Sequence, residues 1–221
     1  MKYKLVIFDL DGTLIDTIAD LGTATNAALA AKGLPQHEPE AFRSMVGHGV
    51  RNLVKQAMPE PMRADDQAVD ALLKIFLAYY IEHLDDRSRP YPGITELLAE
   101  LQVAGVQLGV ASNKFQAGAE KLIARMFPEI AFAAVLGGRP GAPLKPDPAV
   151  VEEIRTRAGV SRGETLMVGD SGADIAAAEA AGVACVAVSW GFRSREALAA
   201  APRIVDSAAE LRALLFTNNE D

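Results

Sequence analysis

Asp9 and Asp11 stand two positions apart where the apolar run Leu5 to Phe8 stops, within Ile7-Phe8-Asp9-Leu10-Asp11-Gly12-Thr13-Leu14. A strand turns successive side chains to opposite faces, so these carboxylates start out on one face. Gly12 then lets the backbone turn closely around whatever they bind. Two ionised carboxylates this close repel each other, and they need a compensating cation or one of them must hold a proton. The pair therefore suits holding a cation and attacking an electrophile.

Apolar runs define the elements that must position this pair. Leu5 to Phe8, Val106 to Ala111, Ala131 to Leu136, Leu166 to Val168 and Val183 to Val188 read as buried strands, and helix-like segments separate most of them. This alternation predicts an α/β fold, a doubly wound (Rossmann-like) parallel sheet covered on both faces, with ligands at the carboxyl ends of its strands. Asp9 ends the first strand, Ser112-Asn113 the second and Gly169-Asp170 a later one.

From Ile15 to about Arg87 the alternation breaks, with several helices and no convincing strand. The expected division is an α/β core of residues 1–14 and 88–221 with a small inserted helical cap of residues 15–87. Ile18, Leu21, Thr25, Ala28 and Leu29 recur at helical spacing, with Asp16 or Thr17 placed to cap the start and Gly33 to end it. Val69, Leu72, Leu73, Phe76, Tyr80 and Leu84 form a second stripe behind Asp65 and Asp66. The chain returns through the hinge-like stretch Asp85 to Gly93, so two linkers join the insert to the core. That is the geometry of a lid.

Half of the residues are hydrophobic and 23% are charged, which suits one large core or a core with a satellite. A net charge of -7 without a cluster of Lys and Arg argues against nucleic acid, while small anionic substrates remain compatible with a local cation. Cys185, the single cysteine, lies in an apolar run and reads as a buried inert thiol in a reducing compartment. The apolar run near the amino terminus is too short for a signal peptide and none is long enough for a membrane span, so the expected setting is cytoplasmic. Monomer and homodimer are both compatible with the composition. The polar stretch Thr217 to Asp221 is expected to fray.

Four elements occur in order: Asp9-Leu10-Asp11-Gly12-Thr13, Ser112-Asn113, Lys145-Pro146-Asp147-Pro148, and Gly169-Asp170-Ser171-Gly172-Ala173-Asp174. In this order, at strand ends and with a helical insert after the first, they make the chain resemble the haloacid-dehalogenase superfamily of phosphatases. The resemblance implies a Mg2+-dependent phosphomonoester hydrolase with Asp9 as nucleophile and Asp11 as acid and base. It also implies a metal held by Asp9, Asp11 through its backbone carbonyl, Asp170 and Asp174, the last directly or through water. The chemistry agrees: a carboxylate can attack phosphorus, a second can protonate the leaving oxygen and then deprotonate water, and an all-oxygen donor set suits Mg2+. Ser112, Asn113, Gly12 and Thr13 are placed to bind the phosphoryl group. Lys145 is expected to offset its charge and to keep Asp9 ionised. Asp147 is placed to cap the helix carrying Val150, Val151 and Ile154.

Gly47-His48-Gly49 with Arg51, and Trp190-Gly191-Phe192-Arg193, resemble the phosphoglycolate phosphatase branch. Arg51 or His48 is therefore expected to meet the substrate, a small phosphorylated metabolite for which 2-phosphoglycolate is the leading choice. Arg193 is a further candidate. Sugar phosphates, nucleotides and pyrophosphate are the alternative substrates, and a sugar-phosphate mutase would share every core residue. A dehalogenase has no use for Asp11, and a phosphonate-cleaving relative, for which Lys55 is the available amine, typically has Ala there. A non-catalytic phosphate-binding protein needs no acid and base beside a nucleophile.

Overall fold

The computed structural model describes residues 2–217; the end expected to fray, from Asn218 onward, lies outside the described residues. Leu5–Phe8 forms β1, a fully buried strand whose Val6 and Phe8 join one apolar cluster while Leu5 and Ile7 join another. The alternation of a strand thus feeds the packing on both faces of the sheet.

After β1 come β2 (Ile15–Asp16), α1 (Ile18–Ala31), α2 (Phe42–Met45), α3 (Val50–Ala57), α4 (Asp66–His83) and β3 (Arg89–Pro90). The chain continues with α5 (Ile94–Val103), β4 (Gln107–Phe115), α6 (Gln116–Met126), β5 (Phe132–Gly138), α7 (Ala149–Ala158) and β6 (Thr165–Gly169). It ends with α8 (Gly172–Ala181), β7 (Ala184–Val188), β8 (Ile204–Val205) and α9 (Ala208–Phe216). The main sheet runs β5-β4-β1-β6-β7-β8, and all its neighbours are parallel. From β1 the chain builds outward through β4 and β5, then returns to the other side at β6. The switch point, where such folds bind ligands, therefore lies between β1 and β6.

Two strand expectations need correction. Ile15–Asp16 is a strand after all, pairing antiparallel with Arg89–Pro90 so that both linkers of the insert form one ribbon. Ile204–Val205 adds an edge strand. Each is only two residues long, too short to show a period in the sequence. In addition, β4 runs on to Phe115, with its register against β5 shifting between Ala111 and Phe115, so Ser112 and Asn113 lie in an irregular strand end.

The helical stripes form as expected. Asp65 Oδ1 caps α4 by accepting from Gln67 N and Ala68 N, and Asp147 Oδ1 accepts from Ala149 N at the start of α7. Asp16 Oδ1 accepts weakly from Ile18 N, while Thr17, the residue at the cap position of α1, makes no capping bond. Its hydroxyl is used elsewhere. Leu21, Phe42, Leu53, Phe76 and Tyr80 of the insert belong to the same apolar cluster as Val110 and Leu122 of the core. Among the described residues, no helix is long and apolar enough to cross a membrane.

Candidate active site

At the switch point, β1 delivers Asp9 and β6 delivers Asp170, with Asp174 one turn into α8. Asp9 is fixed through its backbone, its N–H donating to Val168 O of β6 at 2.8 Å. One oxygen from each of the three carboxylates falls within 4.8 Å of the others, and all three residues are buried. Lys145 enters the same space from the loop before α7. Its Nζ donates to Asp9 Oδ1 at 2.7 Å, Asp174 Oδ1 at 2.6 Å and Ala111 O at 2.5 Å.

Charge is out of balance here. Burial pushes the Asp9 carboxyl well above the ordinary carboxylate range; Lys145 opposes this, and Asp174 and Asp170 reinforce it. Asp170 is pushed up to about 7, first by burial and then by Asp174. Burial alone would lower the Lys145 ammonium, yet its two carboxylate partners carry it above the usual lysine value. Lys145 thus pulls Asp9 in the expected direction, but one ammonium does not offset three buried acids. Asp9 Oδ2 and Asp170 Oδ1 accept no hydrogen bond among the described residues. Two free hard oxygens in a cluster short of positive charge fit a metal cation. Asp174 is different, since its Oδ1 meets Lys145 and its Oδ2 accepts from Ser171 N and Oγ at 3.1 and 2.6 Å. Both of its oxygens are already engaged in holding the site together.

Three glycines make the cluster compact. A Cβ on Gly12 or Gly191 would stand 2.3 Å from Asp170 Oδ2, and one on Gly169 would stand 2.3 Å from Asp174 Cγ. Gly12 also has a φ of +90°, which a residue with a side chain rarely adopts. The loop carrying Gly191 is pinned on either side: Trp190 Nε1 donates to Thr13 O at 3.1 Å and Phe192 N to Asp170 Oδ2 at 2.7 Å.

Asp11 is not part of this three-carboxylate cluster and has partners of its own. Its Oδ1 accepts from Thr17 Oγ1 at 2.6 Å and from Lys114 Nζ at 2.9 Å, and the same ammonium donates to Tyr80 OH at 2.6 Å. Burial lowers the Lys114 ammonium, but Asp11 and Tyr80 outweigh that and raise it. From the sequence Thr17 reads as a candidate helix cap and Tyr80 as a core residue, and Lys114 was not singled out. The available signal for Lys114 was stoichiometric: a further, partly buried acid calls for a cation of its own, and Lys114 is the basic residue nearest the end of β4.

Ser112 is buried, and its Oγ accepts from Lys114 N at 3.2 Å, leaving its own proton to donate. The carboxamide of Asn113 is engaged on both sides. Its Oδ1 accepts from Lys145 N and its Nδ2 donates to Lys145 O and to Gly47 O, so the carboxamide ties the Lys145 loop to the cap. Thr13 Oγ1 is buried without a partner among the described residues.

A cavity between core and insert is lined by Asp9, Asp11, Ser112, Lys114, Lys145 and Asp170 on its polar side and by Leu21, Val46, Val50, Leu53 and Phe192 on its apolar side. Neither His48 nor Arg51, both expected to meet the substrate, lines it in this structure. His48 is exposed. Arg51 turns toward α4, donating to Asp70 Oδ1 at 2.9 Å and Asp66 Oδ1 at 2.7 Å, because acids at the start of α4 outcompete the cavity for its charge. Arg193 does line the cavity, and its guanidinium donates to Arg43 O and Val46 O. Cys185 is buried, with its thiol pushed up to about 12 by that burial and then by Asp174, which fits an inert role.

Residues 6–188 match the family described as haloacid dehalogenase-like hydrolase, and the chain belongs to that family. Within it the chain is a phosphatase-like member. It is 41% identical to the phosphoglycolate phosphatase of Mesorhizobium japonicum over 88% of this chain and 86% of the relative. It is 36% identical to the phosphoglycolate phosphatase of Chromobacterium violaceum, over 96% of each chain. The crystal structure of a Lactobacillus delbrueckii subsp. bulgaricus protein, provisionally assigned as a phosphoglycolate phosphatase, superposes with a TM-score of 0.91 at 33% identity, covering 99% of this chain and 100% of that one.

Proposed function

We propose that the chain is a Mg2+-dependent phosphomonoester hydrolase that works through a phosphorylated Asp9 and takes 2-phosphoglycolate as its substrate. The observation that carries this reading is Asp9 itself: one oxygen is held by Lys145, the other is free, and Asp170 stands beside it. In the first step the free oxygen of Asp9 attacks phosphorus, while Asp11 gives its proton to the departing alkoxide. In the second, Asp11 takes a proton from water as that water attacks the phosphoryl group, releasing phosphate and restoring Asp9. Lys145 and the Ser112 hydroxyl face the charge spread over the transferring oxygens.

Asp9 and Asp170 are the ligands with free oxygens, the Asp11 carbonyl is a third donor, and Asp174 orients Lys145 and the loop behind them. Bound Mg2+ would supply the positive charge that the acidic cluster lacks and that the phosphate brings a further need for. Residues 15–87 act as a cap whose apolar side closes over the ester and excludes bulk water.

Phosphate release from 2-phosphoglycolate, sugar phosphates, nucleotides and pyrophosphate, with and without Mg2+, tests the proposal. The expected result is Mg2+-dependent turnover with 2-phosphoglycolate preferred, and a loss of at least about a thousandfold in Asp9→Asn. Retained turnover in that variant would remove Asp9 as nucleophile. A rearranged sugar phosphate in place of free phosphate would make the protein a mutase.

A further inference from the structure

We propose that Arg193 recognises the acidic end of the substrate, and that closure of the cap is what aims it. This rests on the reading of the site as a hydrolase of small phosphate esters, and it names the chemical class of ester: one carrying a second anionic group, such as a carboxylate, close to the phosphate.

Three cations line the cavity. Lys145 is committed to Asp9 and Asp174, and Lys114 to Asp11. Arg193 alone of the three has no carboxylate partner among the described residues; its hydrogen bonds go to the main-chain carbonyls of Arg43 and Val46. Those carbonyls occupy two of its five N–H donors and leave it without a salt bridge among the described residues, with Asp170 near enough to feel its charge. A guanidinium facing a partly desolvated cavity with donors to spare is a carboxylate site, because its planar fork meets both oxygens at once.

The placement is built at several points. Trp190 bonds to Thr13 O and Phe192 N bonds to Asp170, so the backbone just before Arg193 is fixed to the acidic cluster. Gly47 leaves room for the guanidinium, since a Cβ there would stand 3.0 Å from Arg193 Nη2. Both carbonyls that orient Arg193 belong to the insert, whereas Arg193 belongs to the core loop after β7. The side chain is therefore held in this pose only while insert and core are together. An anionic group bound by it would in turn favour the closed form, since a ligand shifts a conformational equilibrium by its differential affinity for the two states.

The test compares 2-phosphoglycolate with ethyl phosphate, an ester of matching length without the carboxylate, in the wild type, Arg193→Gln and Arg193→Lys. The readout is the ratio of kcat/KM between the two esters, which cancels general damage to the fold or to the chemistry. The expected result is a fall in that ratio on the order of 100-fold in Arg193→Gln, carried mainly by KM for phosphoglycolate, with partial recovery in Arg193→Lys. A ratio within threefold of wild type in Arg193→Gln would overturn the assignment and leave Arg193 as a structural strap. Wild-type turnover of both esters without preference would also overturn it, while leaving the phosphatase reading intact. Failure of the wild type to hydrolyse any phosphate ester would instead sink the phosphatase reading.

Discussion

Asp170 has one oxygen accepting from Phe192 N and the other free, and it sits in a space that two glycines leave just wide enough. Gly191→Ala would place a methyl carbon 2.3 Å from Asp170 Oδ2 and 2.4 Å from Gly12 O, so carboxylate and loop must separate. A Mg2+ titration of the rate is expected to show the half-activating concentration rising at least about tenfold. Lys114 carries the other residue-scale prediction. Lys114→Met removes a buried cation from its pair with the partly buried Asp11, and urea unfolding is expected to show a loss of about 3 kcal/mol. Among single residues, Asp9 and Asp170 were legible as carboxylates at strand ends, and Lys145 and Asp174 through the ordered motifs that carry the family resemblance. Asn113 and Arg51 were not, because their roles depend on partners remote in the chain: Gly47 and the Lys145 loop for the first, the start of α4 for the second.

The insert is fastened to the core by more than its ribbon. Asp20, buried in α1, accepts from Ser88 N and Ser88 Oγ at 2.7 Å each and from Arg87 N at 3.0 Å, clamping the first helix of the insert to its return linker. Asp20→Ala would leave these donors without their acceptor, and unfolding measurements are expected to show a loss of about 3 kcal/mol. Asp20→Asn, which keeps an acceptor oxygen, is expected to lose less. Helices α1 and α4 were legible from their stripes, since an apolar face at helical spacing is a local signal. The role of Thr17 was hidden by the same logic: a threonine before a helix reads as a cap, yet its hydroxyl bonds to Asp11, a choice only the folded chain reveals. Ribbon and edge strand escaped notice because a two-residue strand is defined by its partner.

At the scale of the molecule, the acidic cluster sits where the strand order reverses and joins β1 to β6, so cation binding and folding are linked. A cation that binds the folded chain at 100 times its Kd adds about 2.7 kcal/mol, which for a chain of this length shifts the midpoint by roughly 5–10 °C. Thermal unfolding in EDTA and then in excess Mg2+ is expected to show such a rise, and Asp170→Asn is expected to abolish most of it. The order of apolar runs foretold a doubly wound sheet because covered parallel strands must be apolar throughout. It held no information on how far the insert leans over the core, which depends on contacts such as that of Asn113 with Gly47.

Ile15–Asp16 and Arg89–Pro90 lie side by side in antiparallel register, as the two arms of a hairpin do. Topologically the whole helical region then occupies the place of a single turn. The sheet is indifferent to how much polypeptide that turn contains, because the entropy of closing a loop grows only logarithmically with its length. Roofs of different size and lining could be exchanged at this junction without resetting a strand, and the chemistry beneath would pass unchanged from one substrate to another.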